Sequence, residues 1–64
     1  MNYILIEIDE IEVKNRLFNG GIVYAVCLST GYVVNLRHQS IEEIERLIKS
    51  RESMELHFIV YGLK

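Results

Sequence analysis

Hydrophobic and polar residues alternate along most of the chain, but one segment has the spacing of a helix. Between Ile41 and Ser50, apolar residues recur three or four positions apart, at Ile41, Ile44, Leu47 and Ile48. Ser40 and Glu43 form a capping box, in which the Ser40 hydroxyl accepts from the amide of Glu43. The pattern therefore predicts a helix from Ile41 to Ser50 with one apolar face.

Two turn signals predict strands in the first half of the chain. Asn19-Gly20 is typical of a two-residue hairpin, because both central positions of such a turn need positive φ. The turn sets Leu17 opposite Ile22 and Val13 opposite Val26. Ser29-Thr30-Gly31 fits a three-residue loop, which sets Leu28 opposite Tyr32. Together the two turns predict one apolar face toward the helix, made of Ile11, Val13, Leu17, Ile22, Tyr24, Val26 and Leu28.

The two ends of the chain also alternate as strands do. Ile4, Ile6 and Ile8 share one face, and either a bulge near Asp9-Glu10 or a turn between two short strands follows them. The segment from Met54 to Leu63 is the last strand, and it pairs beside either the first or the third strand. Residues 1–64 are thus expected to form a single α+β domain. Its small, mostly antiparallel four-stranded sheet carries one helix on one face, in the order β-β-β-α-β.

The predicted hairpins bring three basic residues together on the sheet face away from the helix. Lys14, Arg16 and Arg37 gather at one end of that face in a chain of net charge −2. One interpretation is an ordinary solvated sheet face. The other is an electropositive platform for phosphate or for an acidic partner.

The same outer face has an apolar zone near the chain ends. In the alternation of the two terminal strands, this face receives the side chains of Tyr3, Leu5, Ile59 and Tyr61. They form one exposed patch if the terminal strands are neighbours. A chain of this size buries only about 60% of its unfolded surface, so a further stabiliser is expected. We therefore expect a homodimer, formed through this patch or by pairing of an edge strand across a two-fold axis.

Catalytic and metal-binding patterns are weak. His38 and His57 have no metal-site spacing, and the single cysteine, Cys27, has no sequence partner that would activate it. We expect no enzyme activity, no cofactor and no bound metal.

Composition narrows the setting. The longest uninterrupted apolar run, from Ile22 to Leu28, is far below the ~20 residues that span a bilayer, so no membrane association is expected. A lone cysteine and the lack of a secretory signal pattern favour the cytoplasm. Nine Ile and four Asn against one Ala and no Pro suggest AT-rich coding DNA, such as that of a virus or mobile element.

These features predict a small non-enzymatic protein-binding module that acts as a homodimer. If the AT-rich origin holds, it is a host-directed inhibitor or accessory protein. Tyr3, Leu5, Ile59 and Tyr61 then supply apolar contact, and Lys14, Arg16 and Arg37 supply charge complementarity. The alternative is a nucleic-acid-binding or transcriptional regulatory protein that uses the basic face, which the acidic net charge disfavours.

Overall fold

Four antiparallel strands form one sheet in the computed structural model, which describes residues 3–63, without the side chain of Leu63. The strands are β1 (Tyr3–Ile8), β2 (Tyr24–Cys27), β3 (Tyr32–Asn35) and β4 (Leu56–Leu63). The helices are α1 (Glu10–Phe18) and α2 (Ile41–Lys49), and a 3-10 turn spans Leu36–His38. The predicted α+β class and the four-stranded antiparallel sheet are confirmed.

The strand order is β1-β4-β2-β3, so the last strand lies between β1 and β2. Because β4 runs antiparallel to both neighbours, β1 and β2 point the same way, and α1 connects them across β4. In the same way, α2 connects β3 to β4 across β2. The chain therefore contains two interleaved split β-α-β units.

The predicted element order is wrong in one respect, because residues 10–18 form a helix and not a hairpin strand. The observed order is β-α-β-β-α-β, with two helices instead of one among the described residues. The carboxylate of Asp9 accepts from the amide of Glu12 at 2.8 Å and caps the first turn. Glu12 then pairs with Arg16 one turn later, and Val13 and Leu17 share the face that packs on the core. No bulge is needed near Asp9, since β1 ends at Ile8 and the helix begins at Glu10.

The Asn19-Gly20 pair ends α1 instead of turning a hairpin. Asn19 is the C-cap, and Gly20 follows it with φ of +83°. The amide of Gly20 donates to Leu17 O at 3.2 Å, and the amide of Gly21 donates to Arg16 O at 2.7 Å. These two bonds are the pair found in a Schellman motif, which needs a residue in the left-handed region.

The prediction for α2 is confirmed to within one residue at its end. The helix spans Ile41–Lys49 with Ser50 as its C-cap. The Ser40 hydroxyl accepts from the amide of Glu43 at 3.1 Å, as the capping box predicts. The side chain of Glu43 does not reach back to Ser40 but pairs with Arg46.

The hairpin between β2 and β3 exists, but its register differs from the predicted one by one residue. Cys27 lies opposite Tyr32, and Val26 lies opposite Val33, so the loop has four residues and not three. A slip of one residue exchanges the faces of a strand. Ala25 and Cys27 are consequently buried beneath the helices, while Tyr24 and Val26 lie on the other side of the sheet.

Both helices cover the same face of the sheet. Val13 and Leu17 from α1, and Leu47 and Ile48 from α2, pack into one cluster with the inward side chains of β2 and β4. The fully buried centre of this core consists of Phe58, Leu36, Leu47, Val13, Val23 and Val60. The opposite side of the sheet, called the open face below, is covered by no element among residues 3–63.

Candidate functional site

The open face brings together the four residues predicted to form an apolar patch. The condition for that patch was that the terminal strands be neighbours, and β1 does pair with β4. Leu5 lies directly opposite Tyr61, and Ile59 lies opposite Glu7. Tyr3, Leu5 and Tyr61 are exposed, at 65%, 61% and 60%, whereas Ile59 is half-buried.

Tyr24 belongs to the same surface, although the predicted register placed it under the helix. Tyr24 lies on β2, opposite Ile59 of β4. Its ring contacts the ring of Tyr61 edge to face, with centroids 5.8 Å apart. The five side chains of Tyr3, Leu5, Tyr24, Ile59 and Tyr61 are called the open-face patch below. Val26 and Val33 extend the apolar surface to the far edge of the sheet. A predicted loop of four residues between β2 and β3, instead of three, would have placed Tyr24 on the open face from the sequence alone.

Charged groups border the open-face patch at one end. The carboxylate of Glu7 accepts a hydrogen bond from the ring of His57, with 3.1 Å between Oε2 and Nδ1. The same carboxylate lies 3.7 Å from a guanidinium nitrogen of Arg51. This small network, half exposed to solvent, marks where the apolar surface ends.

The three basic residues do not form the predicted row on the outer sheet face, because α1 carries two of them. Arg16 pairs with Glu12 at 2.9 Å on the solvent side of α1. Arg37 follows β3, and its guanidinium donates to Leu17 O at 2.7 Å and to Gly21 O at 2.9 and 3.1 Å. Lys14 is exposed and belongs to none of the ion pairs among the described residues. The prediction of one basic sheet platform is therefore wrong.

Lys14 and Arg37 instead line a groove between the two helices, and Arg16 does not. The groove has a volume of about 440 Å³. Leu36 and Ile48 form its buried floor, and Phe18 and Ile41 project beside it. We call it the helix groove, and its lining comprises Lys14, Leu17, Phe18, Leu36, Arg37, Gln39, Ile41, Ile44, Glu45 and Ile48.

Cys27 is a buried free thiol at the end of β2. A hydrogen bond with the side chain of Ser29, at 3.3 Å from Sγ to Oγ, is the main reason why the pKa of Cys27 falls from 9.0 to about 7, with smaller help from Thr30. No base lies in hydrogen-bond contact with this thiol within residues 3–63. Nor do His, Cys, Asp and Glu side chains of that part of the chain come together in groups of three that would hold a metal ion.

Comparisons of the chain with protein-family models, curated proteins and solved structures found no match. Neither α1 nor α2, the helices of the described residues, has the length and apolar character needed to cross a membrane.

Proposed function

We propose that the protein is a small, non-enzymatic protein-binding module that acts as a homodimer, with the open faces of two copies packed against each other. The observation that carries this proposal is the open-face patch, in which five apolar side chains from three adjacent strands lie side by side on an uncovered surface. Contiguous apolar patches of this kind on small proteins usually mark contact surfaces. Two sheets that pack face to face form a second core about 10 Å thick.

Face-to-face packing accounts for the apolar surface better than pairing of edge strands. An added strand at the edge of β1 would cover Tyr3 and Leu5 but would leave Tyr61 and Val33 exposed, and Tyr24 half-buried, on the other strands. Packing of the open faces covers all of them at once. A two-fold axis through the patch also makes the contact self-complementary.

The setting proposed for this dimer is the cytoplasm, where a free thiol such as Cys27 stays reduced. The amino-acid composition alone suggests AT-rich coding DNA, such as that of a virus or mobile element. With such an origin, the bound protein would belong to the host. Nucleic-acid binding receives less support, since Arg16 is paired with Glu12 and does not line the groove that Lys14 and Arg37 share.

Sedimentation equilibrium at micromolar concentration tests the dimer. We expect a mass of two 7.5 kDa chains for the unaltered protein and of one chain for Tyr61→Lys, which puts a charge in the centre of the patch. Two control variants should remain dimers: Leu28→Lys, which alters an apolar loop residue that is even more exposed than Tyr61, and Ile4→Lys, which alters the helix side of β1.

The variants separate the possible assemblies. Loss of the dimer in Ile4→Lys but not in Tyr61→Lys would indicate pairing of β1 edges and contradict the open-face interface. A single-chain mass for the unaltered protein would remove the homodimer altogether.

A further inference from the structure

Two apolar side chains stand exposed beside the helix groove, one from each helix. Phe18 at the end of α1 is 90% exposed, and Ile41 at the start of α2 is 76% exposed. They are the two most exposed large hydrophobic residues in the part of the chain that the structure describes. Both line the groove whose floor is formed by Leu36 and Ile48. The helix groove thus offers an apolar floor with apolar contacts ready on both sides.

The groove also has a charge preference. Lys14 and Arg37 line it, and Glu45 is its only acidic residue. The guanidinium of Arg37 is held in place by the carbonyl oxygens of Leu17 and Gly21, which carry no formal charge, so that no carboxylate pairs with it. Lys14 has no carboxylate within ion-pair distance among residues 3–63. An occupant with carboxylates is therefore favoured over a basic one.

The walls of the groove favour a helix as its occupant. They are side chains of two helices and of the segment that joins β3 to α2, and the lining includes no residue of a β-strand whose backbone groups could pair with an extended peptide. A helix satisfies its own backbone hydrogen bonds and needs only side-chain packing. Along α2 the lining runs from Ile41 to Ile48, which spans about 10 Å and matches about two turns of a partner helix.

We infer that the helix groove binds a short amphipathic helix of a partner protein, which inserts apolar side chains spaced i, i+3, i+4 and i+7 and places carboxylates near Lys14 and Arg37. This inference rests on the proposed function in taking a protein as the ligand. It assigns that ligand to the helix side of the domain, opposite to the surface used by the second copy. The dimer then presents two grooves that face away from each other.

Selection from a displayed library of helical peptides tests the inference. The probes are peptides of about 15 residues with one randomised face, enriched on the immobilised protein. We expect the enriched peptides to be apolar at helical spacing and to carry net negative charge. Their affinity should fall about 10-fold in Phe18→Ala and in Lys14→Glu, as for central contacts of an interface.

Matched controls lie on the same helices outside the groove. Ile11→Ala removes an exposed apolar side chain of α1, and Lys49→Glu reverses a lysine of α2, so both should bind the selected peptides within about 2-fold of the unaltered protein. Enrichment of basic peptides, the absence of enriched peptides, or equal losses in the control variants would overturn the inference.

Amide chemical shifts and sedimentation of the same samples distinguish this inference from the dimer. Shifts at Leu17, Gln39 and Ile44 upon addition of a selected peptide support the groove, and shifts confined to Tyr24 and Tyr61 contradict it. Binding at the groove by a protein that sediments as a single chain would support the groove while the homodimer fails. A protein that sediments as a dimer and binds the selected peptides equally well in Phe18→Ala would support the homodimer and contradict the groove.

Discussion

The guanidinium of Arg37 donates a 2.7 Å hydrogen bond to the carbonyl oxygen of Leu17, twenty residues earlier in the chain. A second acceptor, the carbonyl oxygen of Gly21, receives two further N–H groups. The last carbonyl groups of a helix lack partners within it, and they carry the negative end of its dipole. Arg37 therefore fastens the carboxyl end of α1 to the segment that follows β3, and this contact holds one wall of the helix groove in place.

Replacing Arg37 should destabilise the domain more than replacing other exposed arginines. We expect Arg37→Ala to lower the free energy of unfolding by about 2 kcal/mol, because several charge-assisted hydrogen bonds to backbone carbonyls are lost together. Arg16→Ala, which removes only an exposed ion pair on one helix, should cost about 0.5 kcal/mol. Urea denaturation monitored by circular dichroism measures both. Equal losses in the two variants would show that Arg37 has no such role.

Capping of α1 by Asp9 gives a second prediction. The Asp9 carboxylate accepts from the amide of Glu12, and Asp9→Ala should lower the free energy of unfolding by about 1 kcal/mol, while Asp9→Asn keeps most of the cap. Glu10→Ala, one residue into the helix, serves as the control and should cost less than about 0.5 kcal/mol. An unchanged urea midpoint in Asp9→Ala would argue against a helix that begins at Glu10.

The Asn19-Gly20 pair shows why the first half of the fold was mispredicted. A tight hairpin and a Schellman helix end both need a glycine with positive φ, so the dipeptide fits either structure. The evidence for a helix was present in residues 9–17, where Asp9 precedes Glu12 by three positions and Val13 precedes Leu17 by four. These signals are weaker than those of α2, because Ile11 and Phe18 fall outside the apolar stripe and remain exposed. Their apolar character made the segment resemble a strand.

The parity of the terminal strands was predicted correctly for a different reason. Ile4, Ile6 and Ile8 alternate over a full strand, and so do Leu56, Phe58 and Val60, so each strand fixes its own inward face without reference to a turn. In β2 the residues on both faces are apolar, so only the length of the following loop decides whether Tyr24 faces the helices or the open face. The open-face patch was therefore found in part from sequence, and the helix groove was not, since it exists only where α1 lies beside α2.

The thiol of Cys27 should titrate near neutral pH. Hydrogen bonds from Ser29 and Thr30 favour the thiolate and lower the pKa of Cys27 to about 7. Thiolate absorbance in the ultraviolet should follow this pKa, and Ser29→Ala should shift the midpoint toward 9, while Ser53→Ala, a serine that bonds elsewhere, leaves it unchanged. A midpoint near 9 in the unaltered protein would contradict the assigned hydrogen bonds.

The same titration has a consequence for folding stability. The thiol of the unfolded chain binds its proton up to a pH near 9, whereas that of the folded chain releases it near 7. Its contribution to stability is thus fully present above pH 9 and disappears as the pH falls through 7. Denaturation midpoints of Cys27→Ala should show a smaller rise between pH 7 and 9 than those of the unaltered protein.

Tyr24 provides the most direct test of the observed register and of the dimer together. In the structure its ring lies on the open face against Tyr61, whereas a three-residue loop after β2 would turn it toward the helices. If the open faces pack together, Tyr24→Ala should raise the dimer dissociation constant by at least about 10-fold, because an aromatic side chain at the centre of an interface is lost.

Tyr32→Ala is the matched control, since that tyrosine lies opposite Cys27 on the helix side of the sheet. Its substitution should change the unfolding free energy of the monomer and leave the dimer dissociation constant within about 2-fold. Sedimentation velocity over a range of concentrations measures the dimer dissociation constant of each variant. A larger increase of this constant in Tyr32→Ala than in Tyr24→Ala would place the interface on the helix side of the sheet instead.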